Sequence, residues 1–255
     1  MKPKTQAVIH AHALGEYPRE CCGLIVIVKG RERYVPCRNI ATAPSEHFVL
    51  DPQDYALAAD AGEITAIVHS HPDVPARPSE ADLVQCEASE LPWVIVSVMP
   101  GDTGPAVTEA RVIEPHGYTA PYVNRTWAHG LLDCWGLCRD WYAREWGVDL
   151  PDPVRHDAWW NDGVSALYND DALGDANFVP VSVSEIAPGD LILMQIRSKN
   201  RVPNHAAIYL GDGLMLHHLH GRLSSRDNYG GYYAEMTRSI WRHRASPSFR
   251  ASETT

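Results

Sequence analysis

No stretch of the chain approaches the roughly 18 consecutive apolar residues that a membrane-spanning helix needs, so no span is expected. Runs of basic residues are missing too, and the formal net charge is −10 over 255 residues. Nucleic-acid binders usually carry clustered Lys and Arg, so this balance speaks against a general phosphate-binding role and against a nucleic-acid partner. The opening MKPKTQAVIHAHALGEYPRE lacks the apolar core of a secretory leader, because His, Glu, Pro and Arg interrupt it. The expectation is a soluble chain made in the cytoplasm. Cys21, Cys22, Cys37, Cys86, Cys134 and Cys138 show no framework spacing. A chain this long does not need disulfide staples, and free thiols are expected. Internal repeats and low-complexity tracts are also absent.

What is present falls into two parts, as suits a length beyond the usual single domain of about 100–200 residues. In the first part, Thr5 to Glu16 and DPQDYALAAD read as helices, while CGLIVIV, RYVPC, ITAIVHS, PWVIVSV and TEARVIE read as strands. That is a mixed α/β layout over residues 1–115. EPHGYTAPYVNRTWAHG then loses periodicity and gathers Pro, Gly and Asn, which puts a linker at 116–124. If the parts are ever separated by proteolysis, this is where cleavage is expected. DCWGLCRDWYAREWGV reads as a helix ended by Gly147, with a second helix expected near Trp159 to Tyr168. PGDLILM, NHAAIYLGDG and LMLHHLH read as consecutive antiparallel strands, with a hairpin signal at Asp212-Gly213. The fold class is therefore a two-domain α/β and α+β chain, the second domain (125–247) being a helix plus an antiparallel sheet. The polar stretch 248–255 is expected to fray.

Two places carry candidate chemistry. In ITAIVHSH, His69 and His71 stand at i and i+2 near a strand end and so point to one side. SEADLVQCEASE opens a helix, and Asp82 lies one turn in from Ser79. An Asp on a neighbouring element could complete a three-ligand set with a fourth position for water, the arrangement catalytic zinc needs. Taken alone, Ser79 and Asp82 would be an N-cap and a first-turn acid, and the histidines could be surface or core residues. In the second part, Cys134 begins an amphipathic helix, where the dipole favours thiolate. Cys134 and Cys138 also suit buried small hydrophobes. His205 opens a strand and His217 follows across the hairpin, so a nucleophile, a base and an orienter can meet. His218 and His220 read as solvent or core residues, and the tryptophans as packing first, with Trp127 lining a cleft.

HSHP, six residues, then S-E-A-D resembles the JAMM (MPN-type) zinc isopeptidase motif, His-x-His-Pro-x6-Ser-x2-Asp, and PRECCGLIV supplies the upstream Glu before Cys-Gly. The resemblance implies that His69, His71 and Asp82 bind zinc, that Glu20 is the general base and that Ser79 steadies the tetrahedral intermediate. Asp-Cys-Trp-Gly-Leu followed by H-A-A-I-Y-L-G resembles the NlpC-type cell-wall peptidases, which implies Cys134 as nucleophile, His205 as base and His217 as orienter. The Ser that family usually has after the Cys is Trp135 here, which puts in doubt any part for that Ser in shaping the oxyanion site. A JAMM-like part followed by an NlpC-type part resembles the tail assembly protein K family of lambda-like phages. That resemblance implies a tail-tip component acting with other tail-tip proteins. It would move from host cytoplasm to virion and cut peptidoglycan peptides at the cell wall during genome entry. The alternatives are an assembly factor with vestigial sites and a cellular JAMM-type isopeptidase.

Overall fold

The computed structural model describes residues 1–156 and 158–252, with only the backbone of 250–252. The chain divides into two units, Met1–Thr119 and Ala120–Thr255. The first contains α1 (Pro3–Glu16), β1 (Cys22–Val28), β2 (Arg31–Cys37), α2 (Pro52–Ala61), β3 (Glu63–Pro72), α3 (Glu80–Ser89), β4 (Trp93–Met99) and β5 (Ala106–Ile113). Its strands form one sheet in the order β2-β1-β3-β4-β5. Only β3 and β4 run parallel, as they must if α3 is to cross between them.

Both faces of this sheet are covered. Ile25, Val68, Val94 and Val96 pack with Ile9 and Ala13 of α1. Leu24, Val26 and Ile67 pack on the other face with Ala58 of α2 and Cys86 of α3. Burial on two sides explains why CGLIVIV and WVIVSVM are nearly unbroken apolar runs instead of alternating ones. Side chains alternate along β3, so His69 and His71 share the Ile67 face, the one α3 covers. Gly23 leaves room for Tyr34, because a Cβ there would stand 2.5 Å from the Tyr34 hydroxyl oxygen and 2.6 Å from two of its ring carbons. After β5, the backbone N–H groups of His116, Gly117 and Tyr118 all donate to the Glu87 carboxylate, which ties this stretch to the end of α3.

The second unit contains α4 (Cys134–Trp146), α5 (Asp170–Asp175), β6 (Phe178–Val181), β7 (Leu191–Met194), β8 (His205–Gly211), β9 (Leu214–His217), β10 (Ser225–Asn228), α6 (Tyr232–Met236), β11 (Thr237–His243) and α7 (Pro247–Ser252). A six-stranded sheet runs β10-β9-β8-β7-β11-β6, antiparallel throughout. Leu191, Leu193, Ala206, Ile208 and Leu216 form a core with Leu137, Cys138 and Tyr142 of α4. Asp212 and Gly213 both take positive φ, 51° and 71°, as a two-residue hairpin of the primed type requires. The two-domain α/β and α+β class expected from the sequence is the one found.

Three local expectations differ. The helix expected from Trp159 to Tyr168 is a single turn, Trp159–Asn161. Asp162 accepts the N–H groups of Val164 and Ser165, and Asn200 donates to the carbonyls of Trp159 and Ser165, so side chains take the bonds a helix would have used. The LMLHHLH strand stops at His217, where the chain turns and Arg222 N–H closes on Leu219. The polar end carries α7 where fraying was expected; residues 253–255 of that stretch lie outside the described ones. Among the described residues no helix is long and apolar enough to cross a membrane. All six cysteines are free and buried.

Candidate active sites

In the first unit, the register Cys22↔His69 between β1 and β3 brings Glu20, two residues before Cys22, towards His71. Ser79 caps α3 in a reciprocal box: its Oγ accepts the N–H of Asp82 at 3.1 Å, and Asp82 Oδ2 accepts the N–H of Ser79 at 2.7 Å. That box aims Asp82 back at the sheet. Its Oδ1 lies 3.2 Å from His69 Nε2 and its Oδ2 3.3 Å from His71 Nε2, while the two Nε2 atoms are 3.0 Å apart. His71 Nδ1 donates to Pro75 O at 3.2 Å, which leaves its Nε2 lone pair facing the other two groups. Phe48 stacks on His69 at 4.7 Å and Trp93 meets it edge-on at 5.4 Å, fixing the ring.

These spacings fit a four-coordinate ion. Zinc bonds of about 2.0–2.1 Å in tetrahedral geometry put neighbouring ligand atoms about 3.3 Å apart, and the donor set is two imidazoles and one carboxylate. Buried His69 Nδ1 has no hydrogen-bond partner among the described residues. Burial draws both imidazoles toward the neutral, ligating form. It lowers the His69 pKa, whereas bonds to Asp82 outweigh it on His71, whose pKa rises. The same bonds hold the Asp82 carboxyl far below its ordinary range against its own burial. Glu20 is 7% exposed, and burial pushes its carboxyl up to about 8, with His71 opposing and Asp82 reinforcing the rise. Glu20 also borders a polar cleft of about 440 Å³ lined in part by Arg19, Arg38, Asn39 and Asp54.

In the second unit, Asp133 caps α4 by accepting the N–H of Gly136, and Cys134 is the first helical residue. Gly136 allows this cap, since a Cβ would stand 2.0 Å from Leu131 O. Arg155, buried with Asp133, donates to it through Nε at 2.6 Å. The thiol of Cys134 lies 3.8 Å from the Tyr168 hydroxyl and accepts the backbone N–H of Ala206, the residue after His205. His205 Nε2 is 3.0 Å from His217 Nδ1, and His217 Nε2 is 2.8 Å from Asp227 Oδ2. Nucleophile, base and orienter candidates are thus carried on adjoining α4, β8 and β9.

The Cys134 thiol does not have the lowered pKa expected of a helix start. It is 5% exposed, and burial pushes it up to about 11, helped by the Asp133 charge and opposed by the Ala206 N–H, Tyr168 and Arg155. Burial holds His205 well below its ordinary value. Both shifts favour the uncharged forms, thiol and neutral imidazole. Trp135, standing where a Ser was expected, packs on Tyr168 at 5.4 Å and donates its ring N–H to Pro151 O. Trp127 meets His218 edge-on at 5.0 Å, and His218 is buried with Nε2 bonded to Arg222 O. Asp227 and Tyr168 were missed in the sequence. SSRDNYGG has no motif, and the region of Tyr168 reads as a helix face.

The profile of the prokaryotic homologs of the JAB domain matches residues 2–111, and that of the NlpC/P60 family matches residues 119–242. The chain is 42% identical to the tail tip assembly protein K of Escherichia phage N15 over 96% of each chain. It is 39% identical to that of Escherichia phage lambda over 77% of this chain and 90% of the other. A probable endopeptidase of Mycobacterium bovis is 27% identical over 70% of this chain and 43% of its own. The resemblance read from the motifs is borne out at full length: the chain belongs to the tail tip assembly protein K family, with a JAB-type unit followed by an NlpC/P60 unit.

Proposed function

We propose that the chain is a phage tail-tip assembly protein carrying two peptidase sites, and that the second cuts stem peptides of peptidoglycan during genome entry. The observation that carries the reading is that the Cys134 thiol, at the start of α4, is bonded by the backbone of Ala206, the residue after His205 on β8, while His205 Nε2 lies 3.0 Å from His217 Nδ1 on β9. In this reading the Cys134 sulfur attacks the scissile carbonyl while its proton passes to His205, whose pKa leaves it neutral and able to accept. Backbone N–H groups of the first turn of α4 face the developing oxyanion. Collapse breaks the C–N bond, His205 returns the proton to the leaving amine, and water then hydrolyses the thioester. The bond cut is the γ-D-glutamyl link to the diamino acid.

In the first unit, His69, His71 and Asp82 would hold zinc, which when bound supplies Lewis acidity, polarising a carbonyl and easing deprotonation of water. Glu20, with a pKa of about 8, exchanges a proton readily near neutral pH, and the cleft beside it admits a peptide. Ser79 keeps its own O–H proton to donate while capping α3. Resemblance to two phage tail tip assembly proteins supports other tail-tip proteins as partners, and a path from host cytoplasm to virion tail tip to cell wall. The near-complete burial of Cys134 favours one second reading, an assembly factor whose sites do not turn over. Mass spectrometry of purified muropeptides separates the two. Stem-peptide products from the wild type but not from Cys134→Ala are expected, and intact muropeptides in both would leave the assembly reading.

A further inference from the structure

His217 has a partner on each ring nitrogen, and one of the two can only accept. Its Nε2 lies 2.8 Å from Asp227 Oδ2 and its Nδ1 3.0 Å from His205 Nε2. A carboxylate has no proton to give, so the proton of a neutral His217 belongs on Nε2. Nδ1 is then a bare lone pair, and His205 must keep its own proton on Nε2 and donate it there. The other nitrogen of His205, Nδ1, is left unprotonated. We propose that Asp227 is a positioning residue for the cysteine peptidase reaction, acting through His217 to hold His205 in the tautomer whose Nδ1 takes the proton of Cys134. The inference rests on the peptidase reading given above.

Without the carboxylate the pair has an equally bonded alternative. His217 can carry its proton on Nδ1 and donate to His205 Nε2, which forces the His205 proton onto Nδ1 and removes the base. The count of hydrogen bonds between the rings is unchanged, so nothing within the pair opposes the exchange. Asp227 breaks the tie. Burial supports the neutral His217 that this ordering assumes: the residue is fully buried, its pKa is lowered, and the Tyr233 ring meets it edge-on at 5.1 Å. Asp227 is also bonded by Ser225 Oγ at 3.3 Å and by the Tyr233 hydroxyl; the charge of Arg222 acts on Tyr233, and those of His217 and His218 act on His205. When His205 has taken the thiol proton, both its nitrogens carry hydrogen. The Nε2–H bond to His217 persists, and the carboxylate beyond it offsets the new positive charge without a further proton transfer. The side chain of Asp227 is 41% exposed, so replacing it leaves no buried gap.

The test is a two-bond proton–nitrogen correlation spectrum of the full chain with nitrogen-15 histidine, for the wild type, Asp227→Ala and Asp227→Glu. His205 and His217 protonated at Nε2 in the wild type are expected, with His205 moving to the Nδ1–H form in Asp227→Ala and returning in Asp227→Glu. In parallel, kcat on purified disaccharide-tetrapeptide muropeptides should fall about 10–100-fold in Asp227→Ala with KM held, the range for a partner one residue removed. An unchanged His205 tautomer in Asp227→Ala overturns the proposal, whatever the turnover. If the wild type leaves muropeptides intact, the spectrum still decides on Asp227. Iodoacetamide labelling of Cys134 no faster than that of Cys138 would then count against the peptidase reading itself.

Discussion

The two sites are built over very different lengths of chain. In the first unit, His69 and His71 come from one strand and Asp82 from the first turn of the next helix, and the capping box of Ser79 with Asp82 closes the set locally. In the second unit, bonds run from His205 through His217 to Asp227, and the set from Cys134 to Asp227 requires α4, β8, β9 and β10 to be assembled first. A local site can be specified by spacing alone; a distributed one is specified by sheet register, which no short motif records. The two also differ in charge. The first gathers a carboxylate far below its ordinary pKa beside one raised to about 8, whereas the second buries a neutral thiol and a neutral imidazole.

If the distributed site works as a relay, its members should matter in order of distance from the sulfur. His205→Ala is expected to lower kcat on muropeptides at least about 10³-fold, and His217→Ala less. A reversed order would exchange their roles. Measured against pH, cleavage needs neutral His205, so activity is lost only as pH falls through a pKa below the ordinary histidine value, and the thiol at about 11 places no loss at mildly basic pH. An acid limb centred near 6.5 or above would show that the imidazole is not held down by burial.

Stability should divide along the same line. Asp133→Ala removes the cap of α4 and leaves Arg155 buried beside Gly130 O and Asp152 with its shortest partner gone. A loss of about 3 kcal/mol in urea unfolding is expected, the low end for a broken buried pair; a loss under about 1 kcal/mol would mean Asp152 suffices. The smallest effect belongs to the local site. Ser79→Ala deletes the oxygen that caps Asp82 N–H and should cost about 1 kcal/mol, read as a drop in the thermal midpoint. No change would show that the capping box contributes nothing to α3.

The same contrast explains what could be read from the sequence. β1, β3, β4, α2 and α4 were visible because apolar runs, Asp51 and Asp133 caps and the Gly147 stop are local signals. β11 was not, since TRSIWRH hides Ile240 and Trp241 among arginines and pairs far from its chain neighbours, with β7 and β6. Tyr168 reaches the Cys134 thiol only because Asp162 and Asn200 bend the chain out of the helix its pattern suggested. Asp227 meets His217 through the Ser225↔His217 register, a pairing that spacing could not announce.

The central claim is two separate peptidase sites on one chain. The most direct measurement is mass spectrometry of muropeptide digests by the wild type, Cys134→Ala and Glu20→Ala, each with and without a zinc chelator. The account predicts stem-peptide products that survive chelation and Glu20→Ala and vanish only in Cys134→Ala. Products lost equally on chelation and in Cys134→Ala would contradict it.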